Sequence, residues 1–201
     1  VPVWPESPAP LVYRLPDVNV ELEFAPADFI QVNAELNQRM VTRALELLDP
    51  QPGESVLDLF CGLGNFTLPL ARHAGRVLGI EADAMLIEKA QRNAQHNQLQ
   101  NAEFRLADLY SPETPDPWGT ERFDKWLLDP PRTGAVEVVK RLPAEGGPRR
   151  ILYVSCNPGT LARDSEVLVH AKGYRLVAAG VMDMFPQTSH VEAMALFERA
   201  N

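Results

Sequence analysis

The chain has little cysteine: Cys61 and Cys156 are the only two among 201 residues. Two thiols exclude a disulfide framework and a metal site of four cysteines. Such sparing use of cysteine suits a reducing compartment, so a cytoplasmic location is expected. The four histidines are scattered, none in an HxxxH-type pair, and no metal site is read. No run of about 18 apolar residues occurs, so no spanning helix and no membrane partner are expected. The proline-rich first ten residues lack the apolar stretch of a secretory signal. Basic residues are also scarce: 19 Lys and Arg against 27 Asp and Glu leave a net charge of −8. That argues against nucleic acid held by this domain's charge alone, because phosphate contacts draw on Lys and Arg. It leaves open a nucleic-acid substrate held by a separate module. An initiator methionine is missing as well, and the chain reads as a fragment of a longer protein.

What is present suffices for one large α/β domain, with 45% hydrophobic residues. Prolines 2, 5, 8, 10, 16 and 26 crowd residues 1–30. Within them, 11–15 and 18–24 alternate apolar and polar around Pro16-Asp17, which predicts a small hairpin. Residues 1–10 read as a linker. The whole of 1–30 is taken as a linker and hairpin remnant of an upstream domain, with the catalytic domain at 31–201. Asn33 is expected to cap a helix over 34–48, striped by Leu36, Met40, Ala44, Leu45 and Leu48. Strands are expected at 55–60, 76–81, 102–108, 125–129 and 150–155, with helices at 84–97, 135–142 and 160–172 between them. Two strands, 174–184 and 191–198, follow with no helix between. This alternation predicts a doubly wound, mostly parallel sheet of seven strands, with an antiparallel strand from the C-terminus at its end.

The segment Asp58-Leu-Phe-Cys-Gly-Leu-Gly-Asn-Phe66 joins the first core strand to a helix. Gly62 and Gly64 let the backbone turn tightly and approach a ligand. Such a loop alone is equally a plain β–α turn. Glu81 ends the next strand, where a carboxylate accepts both hydroxyls of a ribose. Asp108 ends the third and is placed to face an adenine edge. The third glycine of the dinucleotide fingerprint is missing, and so is the Lys-Ser/Thr of a triphosphate loop. An aspartate precedes the glycines instead. This favours a cofactor with positive charge and no pyrophosphate, such as S-adenosylmethionine. Asp58 either serves that cofactor or merely orients the loop.

Asp129-Pro-Pro-Arg132 follows the fourth core strand, at the rim where ligands gather in open α/β sheets. It reads as a site segment or as a rigid turn with a solvated Asp and Arg. Cys156 ends the fifth strand in Ser-Cys-Asn-Pro, with Asn157 placed to cap the next helix and Pro158 at its first position. The helix N-terminus is expected to lower the thiol pKa and favour a nucleophilic thiolate; the alternative is a buried structural cysteine. Cys61 reads as a packing residue. Glu192 starts the last strand beside apolar neighbours, as a proton-abstracting base with a raised pKa or an ordinary surface acid. Before the first helix, Gln31 offers an amide and Phe29 a face on which a base can stack.

Together, FxQVN, DLFCGLGNF, DPPR, SCNP and HVE resemble, in order, the RNA uracil-C5 methyltransferases that use S-adenosylmethionine. The resemblance covers about residues 11 to 199. SCNPGTLARD and DMFPQTSHVE are most similar to the branch that acts on bacterial 23S ribosomal RNA; the branch acting on tRNA is the near alternative. The resemblance implies a Rossmann-like class I methyltransferase fold. It implies that Cys156 attacks C6 of a flipped uracil, that C5 then takes the methyl group, and that Glu192 removes the C5 proton. Gln31, Phe60, Gly62, Asn65, Glu81, Asp108 and Asp129 would surround the cofactor. Asp129 would also touch the uracil, and Phe29 and Arg132 lie on the substrate side. It further implies an RNA-binding domain and a cysteine-ligated iron–sulfur cluster upstream, which these residues do not contain. A monomer that binds its 23S rRNA weakly is therefore expected. Two other classes compete. An amino methyltransferase would carry an aromatic residue where Arg132 stands and needs no SCNP thiol. A non-catalytic nucleotide-binding domain would be indifferent to loss of Cys156.

Overall fold

The structure, a computed structural model, describes residues 10–111, 116–143, 146–184, 188 and 191–200. The expected linker, apart from Pro10, and His190 of the HVE segment lie outside them.

The alternating N-terminal segment forms an antiparallel hairpin of β1 (Leu11–Leu15) and β2 (Val20–Phe24), joined by a 3-10 turn at Pro16–Val18. Asn19 leaves that turn in the left-handed region, φ 50°, which asparagine tolerates better than most side chains. Period-two alternation puts Tyr13, Leu15, Val20 and Leu22 on one buried face. On the other face Arg14 pairs across the strands with Glu21 at 2.7 Å. Helix α1 (Ala34–Leu48) begins as expected, with Asn33 Oδ1 accepting from Leu36 N at 3.1 Å. Its buried face is Met40, Val41, Ala44 and Leu48. Leu36 and Leu45 only flank that face, and Val41 replaces them because helical spacing centres the stripe on it.

Seven strands form the main sheet: β3 (Ser55–Leu59), β4 (Arg76–Glu81), β5 (Ala102–Leu106), β6 (Lys125–Leu128), β7 (Arg150–Ser155), β8 (Tyr174–Met182) and β9 (Glu192–Arg199). Their order is β5-β4-β3-β6-β7-β9-β8. The pairs from β5 to β7 are parallel, and β9 runs antiparallel to both its neighbours. The antiparallel strand expected at the end of the sheet thus lies one position in from the edge, which β8 occupies. The inner strands are apolar almost throughout, as strands covered on both faces must be. One core joins the sheet to α1, to α2 (Thr67–Ala71) and to the hairpin. The core on the other face takes in α4 (Val136–Lys140) and α5 (Pro158–Ala171).

The hairpin is docked by hydrogen bonds as well as by its apolar face. Glu21 N and Glu23 N donate to the amide oxygens of Asn97 (2.9 Å) and Asn93 (2.8 Å), in and just after α3 (Ala84–His96). Asn97 Nδ2 returns a bond to Glu21 O at 2.6 Å. The free edge of β2 is thereby satisfied by side chains rather than by another strand.

The chain order of neighbouring strands reverses between β3 and β6. In such sheets ligands bind outside the carboxyl ends of the strands at that switch point. Residues 60, 81, 108, 129 and 156 all follow or end parallel strands on this one rim. Because β9 is antiparallel, its first residue, Glu192, reaches the same rim.

Candidate active site

A cavity of about 610 Å³ opens at the switch point, within the usual range for small-ligand sites. Its lining includes Phe29, Gln31, Phe60, Gly62, Asn65, Glu81, Asp108, Asp129, Arg132, Cys156 and Glu192, the residues expected to hold cofactor and substrate or to react.

Half of the cavity is built by the loop after β3. Phe60 (φ 67°), Gly62 (φ 54°) and Gly64 (φ 95°) all sit in the left-handed region. A methyl group on Gly64 would stand 3.1 Å from Leu68 Cγ, so glycine also makes room for the following helix. Phe60 N and Cys61 N both donate to Ile80 O, at 2.9 and 3.0 Å, tying the loop to β4. The Glu81 carboxylate is held at the strand end by Gly62 N (3.1 Å), Ala82 N (2.7 Å) and Asp83 N (3.2 Å). Asp108 accepts from Tyr110 N at 2.8 Å. The Gln31 amide oxygen is buried with no partner among the described residues. An acceptor without a donor, a fixed carboxylate at a strand end and a side-chain-free approach at Gly62 fit a nucleoside with a short polar tail.

Asp58 does not line this cavity. It is fully buried and accepts from Thr67 Oγ1 at 2.5 Å, so it orients the loop, the plainer of its two expected roles. Burial pushes its carboxyl up to about 7 against the opposing Thr67 bond, with Glu81 adding to the rise. Cys61 is buried and its thiol is raised well above the ordinary range, chiefly by burial. A Cβ on Gly79 would come within 2.9 Å of its sulfur, which marks Cys61 as a packing residue.

The other half gathers the reactive groups. Asp129 leaves β6 with its N donating to Leu59 O at 3.2 Å. The loop after it is fastened to α5: Asn157 Nδ2 donates to Arg132 O (3.1 Å), Arg163 Nη2 to Thr133 O (2.9 Å), and Ala135 N to Asp164 Oδ2 (2.6 Å). Asp164 is itself fully buried and accepts from Tyr153 Oη at 2.6 Å. Cys156 stands part-exposed at the end of β7. Asn157 caps α5 through Gly159 N at 3.0 Å, with Pro158 in the first turn, as its sequence implies.

The expected lowering of the Cys156 pKa is not found. Burial raises the thiol, Glu192 and Asp129 raise it further, and Arg132 opposes them. Burial, seconded by the carboxylates across the cavity, sets the direction of the shift. Glu192 is 5% exposed, and burial raises its pKa too, the direction that suits a base. Asp129 is pushed up to about 8 by burial, then by Glu192 and Asp58.

The sequence reading missed several lining residues. Tyr110 stacks obliquely on Phe60, centroids 5.6 Å apart, and its hydroxyl bonds Gly134 O at 2.8 Å. Asn37 is a polar residue on the buried face of α1, a local signal that was available. It exchanges hydrogen bonds with Asn65 at 2.9 and 3.1 Å. Tyr13, from the hairpin, completes that wall.

A seven-stranded sheet with a reversed C-terminal strand, and a nucleoside-sized cavity at its switch point, define the Rossmann-like S-adenosylmethionine-dependent methyltransferase class. The comparisons narrow this. The family model described as tRNA (uracil-5-)-methyltransferase matches residues 12–113 and 119–200, and the chain belongs to that family. Among its relatives is the 23S rRNA (uracil(1939)-C(5))-methyltransferase RlmD of Xanthomonas axonopodis pv. citri, 57% identical over 98% of this chain and 44% of the relative. The protein of the same name from Thiobacillus denitrificans is 56% identical over 98% of this chain and 46% of its own length. The crystal structure of Pyrococcus abyssi tRNA (uracil-54, C5)-methyltransferase in complex with S-adenosyl-L-homocysteine superposes with a TM-score of 0.77. It is 35% identical over 93% of this chain and 44% of that one. This chain therefore spans less than half the length of these relatives.

Proposed function

We propose that this chain carries the methyl-transferring site of an enzyme that methylates C5 of a uridine in 23S rRNA, with S-adenosylmethionine as donor. The observation that carries the reading is a thiol and a buried carboxyl group, Cys156 and Glu192, lining one cavity with a nucleoside-binding loop. Bound S-adenosylmethionine supplies an electrophilic methyl group on a sulfonium. Gln31, Phe60, Gly62, Asn65, Glu81 and Asp108 would hold it, and Phe29 and Arg132 lie on the substrate side.

In this reading Cys156 gives up its thiol proton to solvent and adds as thiolate to C6 of a uracil turned out of its helix, since C6 is unreachable within a stack. The added sulfur makes C5 a nucleophile. Asp129, whose raised pKa keeps its proton near neutrality, is suited to donate toward the oxygen where enolate charge develops. Glu192 removes the C5 proton after methylation, and elimination releases Cys156. Identity of 57% to rRNA enzymes against 35% to the tRNA enzyme favours rRNA over tRNA. The acidic balance of the chain points to weak RNA binding by these residues alone. Among the described residues no helix is long and apolar enough to cross a membrane. A monomer acting in the cytoplasm beside its rRNA fits this reading.

The test is a 23S rRNA segment in which the target uridine is 5-fluorouridine. Fluorine at C5 cannot leave as a proton, so a covalent protein–RNA adduct should accumulate and should disappear in Cys156→Ala. Methylated product without any trapped adduct would refute the covalent route. A product nucleoside methylated on nitrogen would refute the C5 assignment.

A further inference from the structure

The polar lining of the cavity is sorted by charge. Glu81 and Asp108 follow β4 and β5 on one side, and Asp129 and Glu192 stand with Cys156 on the other. The wall made by the hairpin and α1 carries no acid. There Tyr13 and Asn37, with Asn65 bonded to Asn37, present a phenol and two amides. Tyr13 reaches this wall from the middle of β1, opposite Leu22 of β2, which also lines the cavity.

Tyr13 is only 9% exposed, and its buried hydroxyl has no acceptor within hydrogen-bond reach among the described residues. Asn37 lies alongside as a donor toward the phenol oxygen and offsets part of the rise that burial imposes on it, which leaves the hydroxyl's own hydrogen without an acceptor. A buried hydroxyl hydrogen without an acceptor is unfavourable, and an acceptor inside the cavity would satisfy it. Gln31 contributes the complementary orphan, a buried acceptor. One donor and one acceptor, both unpaired, match the two ends of an α-amino acid: a carboxylate that accepts and an ammonium that gives. Of the cavity's walls, this one alone repels a carboxylate least, because the others bear Glu81, Asp108, Asp129 and Glu192.

We propose that Tyr13 is a binding residue for the methyl donor: its hydroxyl donates a hydrogen bond to the carboxylate of the donor's amino-acid end, and the β1–β2 hairpin is a wall of the cofactor site. This rests on the reading of the cavity as an S-adenosylmethionine site. The hairpin then serves the small ligand as well as the packing of the domain.

The test is calorimetric titration of the whole chain and its Tyr13→Phe variant with two ligands. S-adenosylhomocysteine has the amino-acid end, and 5′-methylthioadenosine lacks it. The variant should weaken S-adenosylhomocysteine about tenfold, the cost of one hydrogen bond to a charged group, and leave 5′-methylthioadenosine unchanged. Without ligand, Tyr13→Phe should melt no lower than the parent, because it removes a buried hydroxyl whose hydrogen has no acceptor. Equal loss for both ligands, or no loss for either, would overturn the proposal. So would a lower melting temperature without ligand, which would make the hydroxyl structural. Failure of the parent chain to bind either ligand would instead refute the cofactor reading beneath it.

Discussion

Strand register brings Cys156 and Glu192 to one rim, where both line the cavity and the carboxyl group acts on the thiol. The last pair on the antiparallel β7–β9 ladder at this rim is Ser155 with Ala193. One residue further out is Cys156 on one strand and Glu192 on the other. Directly opposed residues of an antiparallel pair point to the same face. The raising influence of Glu192 on the thiol is the electrostatic trace of that geometry. A slip of one residue would send the two side chains to opposite faces.

That relationship predicts the reactivity of the thiol. Alkylation of Cys156, followed against pH by mass spectrometry of its peptide, should show an inflection above that of an ordinary cysteine. Glu192→Gln or Asp129→Asn each removes a facing negative charge and should move the inflection down. An unchanged inflection in both variants would show that the carboxylates do not act on the thiol.

Glu192→Gln should also divide the proposed reaction. Thiol addition and methyl transfer would proceed while proton removal stalls, so a methylated protein–RNA adduct should persist on unmodified uridine. Gel mobility and intact mass of that adduct provide the check. Release of product at the rate of the parent enzyme would remove Glu192 from the base role.

Asp129 predicts the pH dependence of stability. Its folded pKa of about 8 stands above its ordinary value of 3.8. Between these values the folded protein binds more protons than the unfolded chain, so stability falls as pH rises through that window. Asp58, raised to about 7, acts in the same direction. Asp129→Asn cannot titrate, so its melting temperature relative to the parent should be higher at about pH 8.5 than at about pH 5. A pH-independent difference would argue against the raised pKa.

Asp164 and Gly134 predict how firmly the loop after β6 is held. Asp164→Ala strands Tyr153 Oη and Ala135 N in the interior and should cost about 3 kcal/mol. Gly134 has φ 77°, and a Cβ there would approach Arg163, Asp164 and Thr160 within 2.6, 2.7 and 2.9 Å. Gly134→Ala should cost about 2 kcal/mol or more from strain and crowding together. Denaturant unfolding of both variants measures these costs.

At the hairpin, Asn97→Ala removes the amide that both donates to and accepts from the backbone of Glu21. A loss of about 2 kcal/mol is expected, with faster hydrogen exchange at the Glu21 amide. Unchanged exchange there would mean that the apolar face alone holds the hairpin.

Much of this was legible in the sequence because it is set locally. Alternation around Pro16-Asp17 placed the hairpin, Asn33 and Asn157 placed two helix starts, and the strand–helix rhythm placed the sheet. Each depends on residues a few positions apart, whose spacing and capping chemistry act without the rest of the chain. The site residues were legible for a related reason: ends of parallel strands share one rim, so motifs at strand ends must meet there. Three features were decided only by the tertiary structure. The place of β9 inside β8 depends on which edge the last strands choose. The direction of the Cys156 shift depends first on burial and then on Glu192 and Asp129, which arrive from other strands; the local helix end suggested the opposite direction. The Tyr13 hydroxyl is buried without an acceptor because a whole hairpin is laid against α3 and α1, an arrangement of buried surfaces that no local spacing records.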